Sequence, residues 1–188
     1  ACGHDGWLAM DQLASHFDLA RTSHSAARFD EAQLRHWQRE AVTHSTDAQI
    51  EQWLGGHLAA VPAGDERSAF VAVVKGNVLF PAEVDELVAV VVHDAVPVSA
   101  DATAQITAAG PDFFASAASL LGTHAGDFKG WTRAIVEATG RKGAGLFMPL
   151  RSALTGATHG PELAPLVGLM GVVRARRRLE QAQALAGK

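Results

Sequence analysis

Apolar residues recur at helical spacing along almost the whole sequence, and no pair of alternating segments joined by a hairpin turn breaks the pattern. That periodicity narrows the possible folds more than any other feature. In "FDEAQLRHWQREAV", Asp30 stands as an N-cap with Gln33 three residues on, and Leu34, Trp37 and Ala41 form one apolar stripe. "STDAQIEQWLGGHL" repeats the design with Ile50, Trp53 and Leu54. "PAEVDELVAVVVHD" opens with Pro81 and acids that suit a helix N-terminus, then a stripe of Val84, Leu87, Val88 and Val91. "PDFFASAASLLG" is a helix ended by Gly122. "DFKGWTRAIVEATG" has Asp127 as N-cap, Trp131 and Ile135 inward and Gly140 as its stop. "VVRARRRLEQAQALA" puts Val172, Ala175, Leu179 and Ala182 on one side and Arg174, Arg177 and Arg178 on the other. The pattern predicts an all-α chain of about nine to eleven helices with short connections. With 48% hydrophobic residues in 188, it has the material for a core.

Breaks in the pattern are few. "AAVPAGDERS" (59–68) is the best candidate linker, followed by "AVPVSADA" (95–102) with Ser99 as an N-cap, and by the turn "THAGD" (123–127). The longest apolar run, Leu87–Val92, is far short of a membrane span. A single cysteine, Cys2, has no partner for an internal disulfide and predicts a reducing compartment. No signal-peptide pattern is visible, and a first residue of Ala rather than Met predicts a piece of a longer protein.

Charge is divided unevenly. Residues 1–128 hold 6 Lys/Arg against 17 Asp/Glu, a net of −11, while residues 129–188 hold 10 against 3, a net of +7. A basic third beside an acidic remainder points to an anionic partner.

The glycine-rich segment "GRKGAGLF" (140–147) fails the nucleotide templates. Leu146 and Phe147 stand where a phosphate-binding loop needs Lys and a hydroxyl, and Met148 stands at the third glycine of a dinucleotide fingerprint. A helix, not a strand, precedes it. The segment reads instead as a basic helix–loop–helix corner, with Arg141 and Lys142 between one helix end and the next helix start. Nine histidines are scattered with no zinc-binding spacing, and no nucleophile elbow or cysteine–base pair is present, so neither a metal site nor a catalytic residue is expected. Trp37, Trp53 and Trp131 are predicted as core, which leaves too few aromatics for a broad base-stacking sheet.

Three stretches resemble the C-terminal portion of bacterial glutamyl-tRNA synthetases (glutamate–tRNA ligases). "FDLARTSHSAARFDEAQLRHWQREAV" (17–42) is similar to the stem-contact segment that follows the catalytic domain. "FKGWTRAIVEATGRKGAGLFMPLRSALTGATHGPEL" (128–163) is the most specific match. "VGLMGVVRARRRLEQA" (167–182) is similar to the last helices. The resemblance implies helical bundle domains of the class I aminoacyl-tRNA synthetase anticodon-binding type. It implies a stem-contact-like region over 1–60, a small anticodon-binding subdomain over 61–98 and a C-terminal anticodon-binding subdomain over 99–188. Carried over by motif, the nucleic-acid-binding residues would be Arg141, Lys142, Arg151, Thr158, His159, Gly160, Pro161 and Leu163.

The sequence departs from the family at Ala144 and Ala157, where cations are common, and in 85–95, where a valine run replaces an expected aromatic patch. The motifs for ATP binding and adenylation are not found. The resemblance therefore implies a tRNA-recognising part of a larger ligase, with no cofactor of its own; ATP and Mg would belong to the parent's catalytic domain. The expected partners are glutamate tRNA and that domain, in a cytoplasmic, monomeric protein with no membrane association. The two lost cations and the acidic first two-thirds leave an alternative: a stand-alone helical scaffold or regulatory relative that binds a protein partner without RNA recognition.

Overall fold

A computed structural model describes residues 8–21 and 28–188. Cys2, His4 and His24 lie outside the described residues, as do residues 22–27 of the first ligase-like stretch. The chain divides into two compact units, Ala1–Thr46 and Asp47–Lys188.

The first unit holds α1 (Met10–His16), a 3₁₀ turn at Leu19–Arg21 and α2 (Glu31–His44). Asp30 begins α2 as its N-cap: its carboxylate accepts from the backbone N–H groups of Ala32 and Gln33 at 2.9 and 3.2 Å. Leu34 is exposed, so the predicted α2 stripe is reduced to half-buried Trp37 and Ala41 beside buried Val42.

The second unit contains α3 (Asp47–Leu54), α4 (Asp65–Val74), α5 (Val84–Val92), α6 (Ala100–Ala109), α7 (Pro111–Leu121), α8 (Phe128–Thr139), α9 (Ala144–Thr155), α10 (Leu163–Met170) and α11 (Val172–Ala186). The all-α expectation holds, with eleven α-helices and no strand among the described residues. α4 is the surprise, because its first residues fall in the stretch predicted as a linker. Gly64, at φ 91, ends the turn, and Asp65 and Glu66 then occupy a helix first turn where the dipole favours them. The helix predicted from Pro81 starts as a 3₁₀ turn, Pro81–Glu83, in which the Glu83 carboxylate accepts from the N–H groups of Leu79 and Phe80.

The main core forms where α11 packs on α6, α7 and α9 and where α8 packs on α7. Phe114, Ala117, Trp131, Ile135, Leu146, Leu150, Leu154 and Leu179 fill it. Trp131 is fully buried, and its indole N–H donates to the carbonyl of Ala117 at 2.9 Å, so the polar edge of the ring is satisfied inside the core. Trp53, also predicted as core, is half-buried. A smaller layer of Ile50, Leu54, Phe70, Val74, Val84 and Val88 is buried among α3, α4 and α5, and α10 packs against α4, α5, α8 and α11. By lying on both layers, α10 fixes the approach of α5 to the last turn of α9, and a cleft opens between them.

Candidate nucleic-acid interface

α9 begins just after the glycine-rich corner. Gly140 ends α8 in the left-handed conformation, φ 69, as its predicted role as a stop requires. Pro149 sits inside α9, where it cannot donate to the carbonyl of Gly145 four residues back. The helix ends at Gly156, again left-handed, φ 73.

Gly156 is also a docking point. A Cβ there would stand 2.1 Å from the carbonyl oxygen of Pro97, and the carbonyl of Gly156 accepts from the N–H of Ser99 at 2.9 Å. The α5–α6 connection is thus seated directly on the end of α9. Ser99 then caps α6 by accepting from the N–H of Ala102 at 3.1 Å.

Between these elements lies a cleft of about 1130 Å³. One wall is α5 with the connection to α6, bringing Glu86, Leu87, Val90, Val98 and Asp101; the other is Arg151, Thr155 and the turn from Gly156 to Pro161. Arg151 donates from Nη1 to the carbonyl of Pro161 at 2.8 Å, so the last turns of α9 hold the far end of that turn. Burial lowers the Arg151 pKa from its ordinary value, the direction expected when a cation is drawn out of water. Thr155 closes the near end: its hydroxyl accepts from the N–H of Ala157 at 3.2 Å and donates to the carbonyl of Arg151 at 2.8 Å.

Four carboxylates line the α5 and α6 side: Glu83, Asp85, Glu86 and Asp101. Glu83 is held by its backbone partners, and Asp85 pairs with Nδ1 of His57 at 2.7 Å. An acidic wall repels a phosphate. It accepts the edge of a neutral ring carrying N–H donors, while the half-buried Leu87 and exposed Val98 of the lining suit the ring face. A second depression of about 260 Å³ lies on the other side of Arg151, lined by Phe128, Phe147, Glu162, Leu163 and Ala164. Phe147 is 42% exposed there.

The eight predicted site residues therefore do not form one cluster. Arg151, Thr158, His159, Gly160 and Pro161 line the cleft. Leu163 is buried beneath the turn and borders the smaller depression. Arg141 and Lys142 lie just before the other end of α9, whose first residue, Ala144, is about 10 Å along the axis from Arg151 at the usual helical rise. Arg141 is engaged locally: Nη2 donates to the carbonyl of Ala109 at 2.8 Å and the guanidinium lies 5.2 Å from the Phe113 ring centroid. Lys142 is exposed. Sequence reasoning missed Phe147 and the α5 wall; the wall comes from residues some 60 positions away from the α9 turn, joined to it only by tertiary packing.

The arginines of α11 also correct the sequence reading. Arg178 does not project outward; it is 1% exposed. With Ala175, Leu179 and Ala182 it occupies i, i+3, i+4 and i+7, one face of the helix, so its register already placed it inward. It donates from Nη2 to the carbonyl of His93 at 2.6 Å and to that of Ala89 at 3.3 Å, and from Nη1 to the carbonyl of Leu154. Burial, and then the charge of Arg174, lowers its pKa to about 10 against the opposing pull of Asp94, which leaves it charged at neutral pH. Arg174 donates to the carbonyls of Val91 at 2.7 Å and Met170 at 2.9 Å, and Arg177 pairs with Asp94. Half of the ten cations in the basic third, Arg141, Arg151, Arg174, Arg177 and Arg178, thus bond within the chain. The exposed Lys129, Arg133, Lys142, Arg176 and Lys188 carry the remaining outward-facing positive charge.

The architecture is shared with a solved glutamate–tRNA ligase from Elizabethkingia meningosepticum, with a TM-score of 0.78 at 18% identity over 94% of this chain and 37% of that one. The fold is therefore of the aminoacyl-tRNA synthetase helical type. The anticodon binding domain family matches residues 46–183, and the chain belongs to that family. Among its relatives, glutamate–tRNA ligase 2 of Acidithiobacillus ferrooxidans is 44% identical over 94% of this chain and 36% of its own length. Glutamate–tRNA ligase 1 of Halorhodospira halophila is 44% identical over all of this chain and 39% of its own length. The chain spans less than two-fifths of these relatives. The family match favours the RNA-binding reading over the scaffold alternative. Among the described residues, no helix is long and apolar enough to cross a membrane.

Proposed function

We propose that this chain is the C-terminal, tRNA-binding part of a glutamyl-tRNA synthetase and that its cleft receives unstacked bases from the anticodon loop of glutamate tRNA. The observation that carries the reading is the cleft itself, with Arg151 and the Thr158–Pro161 turn facing an acidic wall, within the segment matched by the anticodon binding domain family. Bases enter and phosphates stay outside, because carboxylates tolerate N–H donors and repel anions. Thr158, His159, Gly160 and Pro161 supply the reading edge, with Arg151 fixing its position and Leu163 packed below it. At the far end of α9 the exposed Lys142 meets the RNA backbone, and Arg141, bonded to the Ala109 carbonyl, holds the corner that presents it.

In this account residues 1–60 form the stem-contact-like region, 61–98 the small anticodon-binding subdomain and 99–188 the C-terminal one. The parent enzyme attaches glutamate to tRNA using ATP, with ATP and Mg held by its catalytic domain, the protein partner of this chain. The protein works as a cytoplasmic monomer and this part of it needs no cofactor. Titration of the chain with glutamate tRNA and with a single-base anticodon variant tests the reading. Tighter binding of the cognate tRNA supports it; equal binding overturns it.

A further inference from the structure

The cleft has two walls, and one buried side chain is bonded to the ends of both. Arg178 of α11 meets the carbonyls of Ala89 and His93 at the C-terminal end of α5 and the carbonyl of Leu154 in the last turn of α9. Ala89 itself lines the cleft, and Leu154 precedes Thr155, which does too. Two helix C-termini converge on this guanidinium. Each presents the negative end of a dipole and a carbonyl beyond its own helix ladder, His93 at the α5 end and Leu154 at the α9 end, while the Ala89 carbonyl also accepts the N–H of His93 at 3.0 Å. Without a cation between them, these ends repel. Only arginine has donors spread over a planar fork wide enough to serve both ends at once. The charged groups around it are Arg174, which ties the Val91 carbonyl of the same α5 end to that of Met170 in α10, and Asp94, which pairs with Arg174 and Arg177.

We propose that Arg178 is a positioning residue that sets the separation of the α5 and α9 walls, and thereby the discrimination among bases in the cleft. The specificity part rests on the anticodon reading above; the wall separation does not.

The test uses the whole chain in a Cys2→Ser background. Spin labels at Glu86→Cys and His159→Cys report the distance across the cleft, and the titrations use the chain without these two label sites. Titration with glutamate tRNA and a single-base anticodon variant reports the binding ratio. Arg178→Met removes charge and donors together on an unbranched chain and leaves the carbonyls of His93 and Leu154 without their donor, so Arg178→Lys serves as the second variant if Met does not fold. It is expected to broaden the label distance distribution and to lower the binding ratio by about tenfold, the discrimination of one good base contact. Arg178→Lys, with one donor head in place of the fork, is expected to fall between Met and wild type on both measures. Arg176→Gln, on the exposed side of the same helix, is expected to move neither.

An unchanged distance distribution in folded Arg178→Met overturns the proposal, and so does a broadened one with an unchanged ratio. Unfolding of both variants overturns it in favour of a purely structural role. If wild type fails to discriminate at all, the anticodon reading fails, and the distance measurement still decides the wall separation.

Discussion

Arg151 Nη1 lies 2.8 Å from the carbonyl oxygen of Pro161, and this hydrogen bond holds the turn between α9 and α10 against the helix that leads into it. The same guanidinium lines the cleft on one side of α9 and the Phe147 depression on the other. Arg151→Met should therefore weaken cognate tRNA binding about tenfold or more, the range for removing a charge-assisted hydrogen bond together with its ordering of the turn. Fluorescence titration measures the affinity and circular dichroism the retained helix content. A folded variant with unchanged affinity would remove Arg151 from the site.

Gly156 is required twice, by its left-handed φ of 73 and by the carbonyl of Pro97 that would stand 2.1 Å from any Cβ. Gly156→Ala should cost about 2 kcal/mol or more, since the left-handed backbone alone costs about 1–2 kcal/mol for a non-glycine residue. Urea unfolding gives the number. A loss below about 0.5 kcal/mol, the range of a neutral surface change, would show that the α5–α6 connection does not depend on this close approach.

The fold was largely legible because its helices advertise themselves locally. Asp30, Ser99 and Asp127 are N-caps in the structure as their spacing predicts, and Gly140 ends α8. α4 was hidden because Pro62 and Gly64 followed by the charged Asp65, Glu66 and Arg67 look the same in a linker as at a helix entrance. The candidate site was half legible. The α9 wall is one continuous segment with a recognisable motif, whereas the α5 wall exists only through packing over α10 and through Arg178. That arginine was misread by its charge when its helical register already pointed inward.

Arg141 and Lys142 are adjacent in sequence and differ in environment. Arg141→Gln should lower stability by about 1–2 kcal/mol, because it removes the hydrogen bond to the Ala109 carbonyl and the cation–π interaction with Phe113. Lys142→Gln, at an exposed position, should leave stability within about 0.5 kcal/mol and reduce the salt-dependence slope of RNA binding by about 0.7–0.9. Thermal unfolding and binding titrations at several salt concentrations separate the two. Identical behaviour of the two variants would contradict the assignment.

Ser152 is fully buried in α9, and its hydroxyl has no hydrogen-bond partner. Ser152→Ala should therefore be neutral or stabilising by up to about 1 kcal/mol, because it removes an unsatisfied polar atom from the core. Denaturant unfolding checks the sign, and a loss above about 1 kcal/mol would reveal a partner for the hydroxyl.

Anticodon reading is decided by the affinity of residues 1–188 for glutamate tRNA against the same tRNA with one anticodon base exchanged. The exchange should weaken binding by about 1–3 kcal/mol, roughly five- to 150-fold, while both tRNAs lose affinity in parallel as salt rises. Equal affinities at every salt concentration would contradict it.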